Sequence, residues 1–137
     1  MDRYDQALAR YTKALAYLNQ AAETRALTRE GQQRVLALTV PCILASATCK
    51  LRLRDFEGAL EDCNEALELA PMNHKVYYRR GQAQHGKMAY EAALYDLYRA
   101  LKLAPNDKSV KAEIAAVEGA IAVTRSDRSS KPTPTLT

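Results

Sequence analysis

Lys75 and Arg79 are the two side chains of this 137-residue sequence whose type and spacing most plainly invite chemistry. Four residues apart, they project from one face of a helix. They lie in the first turns of the segment HKVYYRRGQAQHG, just after Asn73, a residue suited to cap a helix start. Cations at that end oppose the helix macrodipole, at a cost of roughly a few tenths of a kcal/mol each, so helix stability does not account for them. The chemistry they suit is retention of an anion. Free N–H groups, the dipole and two cations all favour a carboxylate there. Two plainer readings stand beside it: a solvated basic face, and ion pairs with acidic residues of a neighbouring helix.

Other reactive residue types form no comparable constellation. Cys42 and Cys49 are seven residues apart, Cys63 is alone, and His74 and His85 lie far along the chain. A zinc site needs tight ligand pairs such as C-x2-C, so the cysteines read as small core residues in a reducing compartment. There is no Gly-rich phosphate loop, no H-E-x-x-H and no G-x-S-x-G. Glu57, Glu61, Asp62, Glu65 and Glu68 spread over one helix as a solvated face, without an acid/base pair. The expectation is a chain that is not an enzyme, with no catalytic residue, no metal and no cofactor.

Twenty Lys+Arg against sixteen Asp+Glu give a net charge of +4. That excess is small for a nucleic-acid binder and fits an acidic peptide equally well, so no nucleic acid is expected. No apolar run approaches the roughly 18 residues of a membrane span, and the start MDRYDQ lacks a secretion pattern. Cytoplasm, or nucleus, is the expected location, with no membrane.

The elements that must position Lys75 and Arg79 are helices. Ala and Leu dominate the apolar set, Gly and Pro number five each, and alternating Val, Ile and Thr are missing. DFEGALEDCNEALELAP, ending at Pro71, repeats as AYEAALYDLYRALKLAP, ending at Pro105. Phe56/Tyr90, Ala59/Ala93, Leu60/Leu94, Ala66/Ala100, Leu67/Leu101, Ala70/Ala104 and Pro71/Pro105 are each 34 residues apart. Tyr4, Ala7, Ala14 and Leu15 precede the first of these copies by 52, one period plus 18 residues.

This pattern resembles the tetratricopeptide repeat (TPR). The resemblance implies an all-α, right-handed helix-turn-helix solenoid. Small residues Ala47, Ala59, Ala66, Gly81, Ala93 and Ala100 would let helix backbones approach, Phe56 and Tyr90 would fill the gaps, and Pro71 and Pro105 would end helices. The grid gives one domain over 1–124. Residues 2–20 form the second helix of repeat one, and a polar connection with helix-compatible flanks follows. Repeat two covers 33–70 (helices 33–53 and 56–70) and repeat three 75–104 (helices 75–87 and 90–103). A capping helix over 107–124 turns Lys108, Lys111, Glu113 and Glu118 to water, and 125–137 reads as a disordered tail. The first helix of repeat one has no counterpart in the sequence. Ala7, Leu8, Tyr11, Ala14 and Leu15 then lack their usual partner, whether through shortening of the chain, a helix supplied by another molecule, or repacking.

The long first connection and the stretch LALTVPCILASATCKLRLRDFEGALEDCNEALELAPMNHKVYYRRGQAQ are similar to the repeat domain of the large immunophilins, most closely the forty-kilodalton cyclophilin. Those proteins carry an isomerase domain before their repeats. These 137 residues contain none, so isomerase activity is not implied. What the resemblance implies is a co-chaperone-like adaptor holding the acidic C-terminal peptide of a heat shock protein 90 or 70 type chaperone. A five-residue carboxylate clamp performs that task in the family. Lys75 and Arg79 match its last two members, Ala45 occupies an Asn position, and the first pair is absent with its helix. Thr48, Leu51, Arg52, Tyr78, Gln82 and His85 fall at groove-facing positions. The alternative is a structural scaffold that self-associates through residues 2–20 without chaperone binding.

Overall fold

The computed structural model describes residues 3–23 and 28–130, with side chains as far as residue 127. Six helices follow in order: α1 (Arg3–Glu23), α2 (Arg29–Arg52), α3 (Phe56–Leu69), α4 (His74–Gly86), α5 (Tyr90–Leu103) and α6 (Lys108–Ser130). Each packs on the next in sequence, and α4 also touches α2 and α6. The described helices α1, α3 and α5 do not meet one another. The result is two layers, with α2, α4 and α6 inside and α1, α3 and α5 outside, as a solenoid of helix pairs requires.

The 34-residue period reappears in local backbone chemistry. α2 and α4 end in the same turn. Arg54 and Met88, 34 residues apart, are the two non-glycine residues with positive φ among those described, at 62° and 63°. Asp55 N–H donates to Lys50 O at 2.8 Å and Arg54 N–H to Leu51 O at 3.1 Å; Ala89 donates to Gln84 O and Met88 to His85 O, both at 2.9 Å. This is the Schellman closure, which satisfies the last carbonyls of each helix. After α3 and α5 come Pro71 and Pro105, and then the caps Asn73 and Asp107. Asn73 Oδ1 accepts from Lys75 N–H at 3.0 Å, and Asp107 Oδ1 from Ser109 N–H at 2.9 Å.

Small residues let the layers close. Ala47, Ala59, Ala66, Ala93 and Ala100 are fully buried. Gly81 is equivalent to Ala47, yet a Cβ there would lie 2.7 Å from Leu97 Cγ. Leu97, Ile43, Val76, Val110 and Val117 are the large side chains of the interior. Each contributes roughly 1.5–3 kcal/mol by leaving water. They form two clusters bridged by Leu67, one among α2, α3 and the start of α4 and one among α4, α5 and α6.

Several boundaries and faces differ from expectation. α1 and α2 both extend into the first connection, the latter starting at Arg29 behind the cap Thr28. α6 runs to Ser130, six residues into the expected disordered tail; the remainder, 131–137, lies outside the described residues. Polar composition alone does not stop a helix, and the first proline after Lys108 is Pro132. α2 is long and apolar enough to cross a membrane by length and composition, contrary to the sequence expectation. Ser, Thr and Pro interrupt its apolar run to the eye, while Ala, Val, Ile, Leu and Cys keep the average high. α2 packs on α1, α3 and α4, and its buried residues, Thr39, Val40, Ile43, Ser46, Ala47 and Cys49, all follow Leu38. Asp62 does not belong to a solvated face either. It is half-buried and accepts from Ser46 Oγ at 2.7 Å and Lys50 Nζ at 3.1 Å.

Candidate functional site

The inner faces of α2, α4 and α6 enclose two adjoining cavities. One, of about 300 Å³, is lined by Ala45 and Thr48 from α2, Lys75, Tyr78 and Arg79 from α4, and Asp107 and Ser109 at the start of α6. The other, about 450 Å³, shares Thr48 and Arg79. It continues through Leu51, Arg52 and Arg54 on one wall and Gln82 and His85 on the other, with Glu113 from α6. Thr48, Leu51, Arg52, Lys75, Tyr78, Arg79, Gln82 and His85, all expected on the groove face, therefore line one continuous concavity.

Within α4, spacing alone builds a fixed donor array. Arg79 Nη1 donates to Gln82 Oε1 at 2.8 Å, and its guanidinium lies 5.1 Å from the centre of the Tyr78 ring. Gln82 Nε2 donates to the Tyr78 hydroxyl at 3.1 Å. These residues sit one to four positions apart, so one helical turn holds the guanidinium in place. Burial pushes the Tyr78 phenol above its usual pKa range; Arg79 and Arg52 oppose the shift, and Glu113 and Asp107 add to it. Tyr78 is therefore a neutral phenol at pH 7. Its oxygen is occupied by Gln82, and its own O–H proton is left for a ligand.

The charge pattern decides between the readings of Lys75 and Arg79. Among the described residues no carboxylate lies within ion-pair distance of Lys75, Arg79 or Arg52; the acidic groups of the region pair elsewhere. Asp107 faces His74 at 3.5 Å and caps α6. Glu113 is bound to His85 Nδ1 at 2.7 Å. The neighbouring-helix ion pair is thereby excluded among the described residues, and two cations stand beside a cavity unneutralised. One expected contribution is reduced. The Asn73 cap already occupies the Lys75 N–H, so the open end of α4 has one donor fewer for an anion.

Glu113 corrects a second expectation, that it faces water. α6 touches both α4 and α5, which covers a wider arc of its surface than a terminal cap needs. Sequence reasoning also missed Arg54, Phe56, Met88 and Tyr90, which complete the larger cavity. Phe56 and Tyr90 were marked by the repeat, but Arg54 and Met88 reach the groove through the Schellman turn, which carries the chain from each inner helix past its mouth.

Behind the groove, Arg80 turns the other way. Its Nε and Nη2 each donate to Asp96 at 2.8 Å, and Nη1 donates to Asn64 at 3.1 Å. Asp96 is almost wholly buried. Ser46–Asp62 and Arg80–Asp96 occupy the same two repeat positions, 16 residues apart, so α2–α3 and α4–α5 are tied by one device with different chemistry.

Comparison with known proteins places these observations. No protein-family model matches the chain. Human "Peptidyl-prolyl cis-trans isomerase FKBP4" is 36% identical over 113 residues, 82% of this chain and 24% of that protein. The chain thus spans about a quarter of the length of that curated relative. The C-terminal TPR-containing domain of a Plasmodium falciparum FK506-binding protein superposes with a TM-score of 0.73 at 21% identity, covering 90% of this chain and 80% of that one, and shows the fold. The C. elegans myosin chaperone UNC-45, in complex with a Hsp90 peptide, superposes with a TM-score of 0.69 at 28% identity over 88% of this chain and 12% of that one. With its 34-residue period and alternating layers of helices, the chain has the tetratricopeptide-repeat fold and is homologous to a segment of an FKBP-type immunophilin.

Proposed function

We propose that the inner groove of this domain holds the acidic C-terminal end of a partner protein, of the heat shock protein 90 or 70 type, as a co-chaperone-like adaptor. One observation carries the reading. Lys75 and Arg79 face a cavity without a carboxylate partner, beside the Tyr78 hydroxyl and Thr48. The likeness to UNC-45, whose structure is in complex with a Hsp90 peptide, supports it. We read the chain as a binding module without catalysis of its own, acting in the cytoplasm. Its relatives' isomerase names belong to proteins of which it covers about a quarter.

The clamp is incomplete. Ala45 lines the cavity where an amide would reach a ligand carboxylate. A hydrogen bond to a charged group contributes about 1.5–3 kcal/mol, so the three clamp groups not found in these 137 residues weaken binding by roughly a thousandfold or more. Calorimetric titration with a pentapeptide ending in two acidic residues tests this. Expected are a dissociation constant of about 10 μM or weaker, loss of binding in Lys75→Ala/Arg79→Ala, and about tenfold tightening in Ala45→Asn. Submicromolar binding refutes the incomplete clamp, and indifference to Lys75→Ala/Arg79→Ala refutes the site.

A scaffold role through α1 has one observation in its favour. No described residue of α1 is buried, and Ala7, Leu8, Tyr11, Ala14 and Leu15 are only half-covered. Light scattering that shows a dimer, converted to monomer by removing residues 1–20, supports that role.

A further inference from the structure

The outward faces of α1 and α3 carry opposite charge, on the side of the molecule away from the groove. On α1, Arg3, Arg10, Lys13 and Tyr17 recur at i, i+7, i+10 and i+14, which places them on one helix face, and all four are exposed. Tyr17 leaves 64% of its surface in water. On α3, Glu57, Glu61, Glu65 and Glu68 form a second exposed stripe, and the helix holds no Lys or Arg. Of these charges only Glu57 has an ion-pair partner among the described residues, Lys87. α1 and α3 do not meet, so the two stripes do not neutralise each other by contact.

Helix stability does not account for the α3 stripe. Glu57/Glu61 and Glu61/Glu65 are like charges four residues apart, a spacing that destabilises a helix. The surface between the stripes is also open. A cavity of about 430 Å³ lies between α1 and α3, floored by Val35 and Leu36 of α2 and walled on one side by Glu65, Glu68 and Leu69. Leu36 and Leu69 are both partly exposed there. An apolar floor beside an anionic wall fits an aromatic side chain flanked by cations. That is the composition of the α1 stripe itself, with Tyr17 beside Lys13 and Arg10.

We propose that this cleft is an interface between two copies of the chain, in which Tyr17 of each copy enters the α1–α3 cleft of the other and Lys13 and Arg10 meet its Glu stripe. The proposal rests on the scaffold reading of α1 and names the surface on which α1 seats. The register follows from the repeat. α1 maps onto α3 with an offset of 52 residues, so Lys13 corresponds to Glu65 and Tyr17 to Leu69. Outer helices of successive repeats run in one direction, and equivalent residues stand at similar heights along them. A two-fold axis parallel to α1 and α3 therefore brings Lys13 of each copy level with Glu65 of the other, and Tyr17 level with Leu69 at the cleft. Each contact then occurs twice, as a self-complementary interface requires.

Sedimentation velocity of the 137-residue chain and of charge-reversed variants tests the interface. The wild type is expected to dimerise, with a dissociation constant that rises about tenfold in Lys13→Glu and in Glu65→Lys, since each reversal turns two exposed ion pairs into repulsions. Tyr17→Ser is expected to weaken the dimer by about tenfold or more through lost aromatic burial. An equimolar mixture of Lys13→Glu and Glu65→Lys is expected to recover wild-type affinity, because each copy then offers the charge that the other lacks. Circular dichroism at 222 nm is expected to match the wild type for all three variants, whose side chains are exposed. A dimer that none of the variants weakens overturns the proposal and leaves the scaffold role to another surface. Reversals that weaken the dimer without recovery in the mixture also overturn it, since net charge alone would act that way. A wild-type chain that stays monomeric at millimolar concentration overturns both the interface and the scaffold reading.

Discussion

Arg80→Ala and Asp96→Ala together test whether the buried ion pair behind the groove locks α4 to α5, and the structure makes their effects unequal. Two charge-assisted hydrogen bonds of 2.8 Å join the pair. The Asp96 side chain is 2% exposed and that of Arg80 24%. Removing Arg80 strands a carboxylate out of reach of water, at a cost of about 3–5 kcal/mol. Removing Asp96 strands a guanidinium that keeps Asn64 and one edge in solvent, which reduces the loss to about 2–3 kcal/mol. Unfolding entropy near 2.1 cal/mol/K per residue over 137 residues is about 0.29 kcal/mol/K, so Arg80→Ala lowers Tm by roughly 10–17 °C. Circular dichroism at 222 nm, followed against temperature and urea, measures both variants. A loss under about 1 kcal/mol for Arg80→Ala, or a larger loss for Asp96→Ala, refutes the asymmetry and the lock.

Met88→Gly relieves a left-handed residue whose side chain is 75% exposed, and a gain of about 0.5–1 kcal/mol is expected in urea titration. Gly81→Ala forces its new methyl against the fully buried Leu97, at a cost of about 1–3 kcal/mol by the same assay. Lys50→Ala removes the more exposed partner of Asp62, so its cost is nearer 1 kcal/mol, clearly below that of Arg80→Ala. Burial, with Asp62 adding, pushes the Cys63 thiol up to about 12, against the pull of Arg80 and Arg79. At pH 8 an alkylating reagent is therefore expected to modify half-buried Cys42 in the native chain and Cys63 only after unfolding, as peptide mapping would read.

What was legible in the sequence is what repeats in it. Ala59/Ala93, Ala66/Ala100 and Pro71/Pro105 recur at one offset, and they mark the close helix contacts and helix ends seen in the structure. Lys75 and Arg79 were visible because α-helical spacing alone puts them on one face. The buried ties were harder to see. Asp62 and Asp96 stand at equivalent positions, but their partners Ser46 and Arg80 differ in type, so no identity of letters revealed the shared geometry. Glu113 was misread because the amphipathic pattern of α6 reports its packing on α5 and is silent about its second contact, with α4. Arg54 was invisible for another reason: positive φ at a non-glycine residue leaves no mark in composition.

The half of the groove built by α2 and α4 is set independently of α1. α1 touches α2 alone among the described helices, whereas α4 is set by α2, α3, α5 and α6. In a solenoid with nearest-neighbour contacts, loss at one end is felt in the next repeat and fades beyond it. Lys75 and Arg79 are two helices further on, and their geometry is fixed locally, by Asn73 at the helix start and by Gln82 and Tyr78 within α4. The incomplete clamp therefore lacks contacts but is not misplaced. Ala45 is the deficit on the described cavity wall, and adding an amide at residue 45 can recover affinity without any rearrangement of α4.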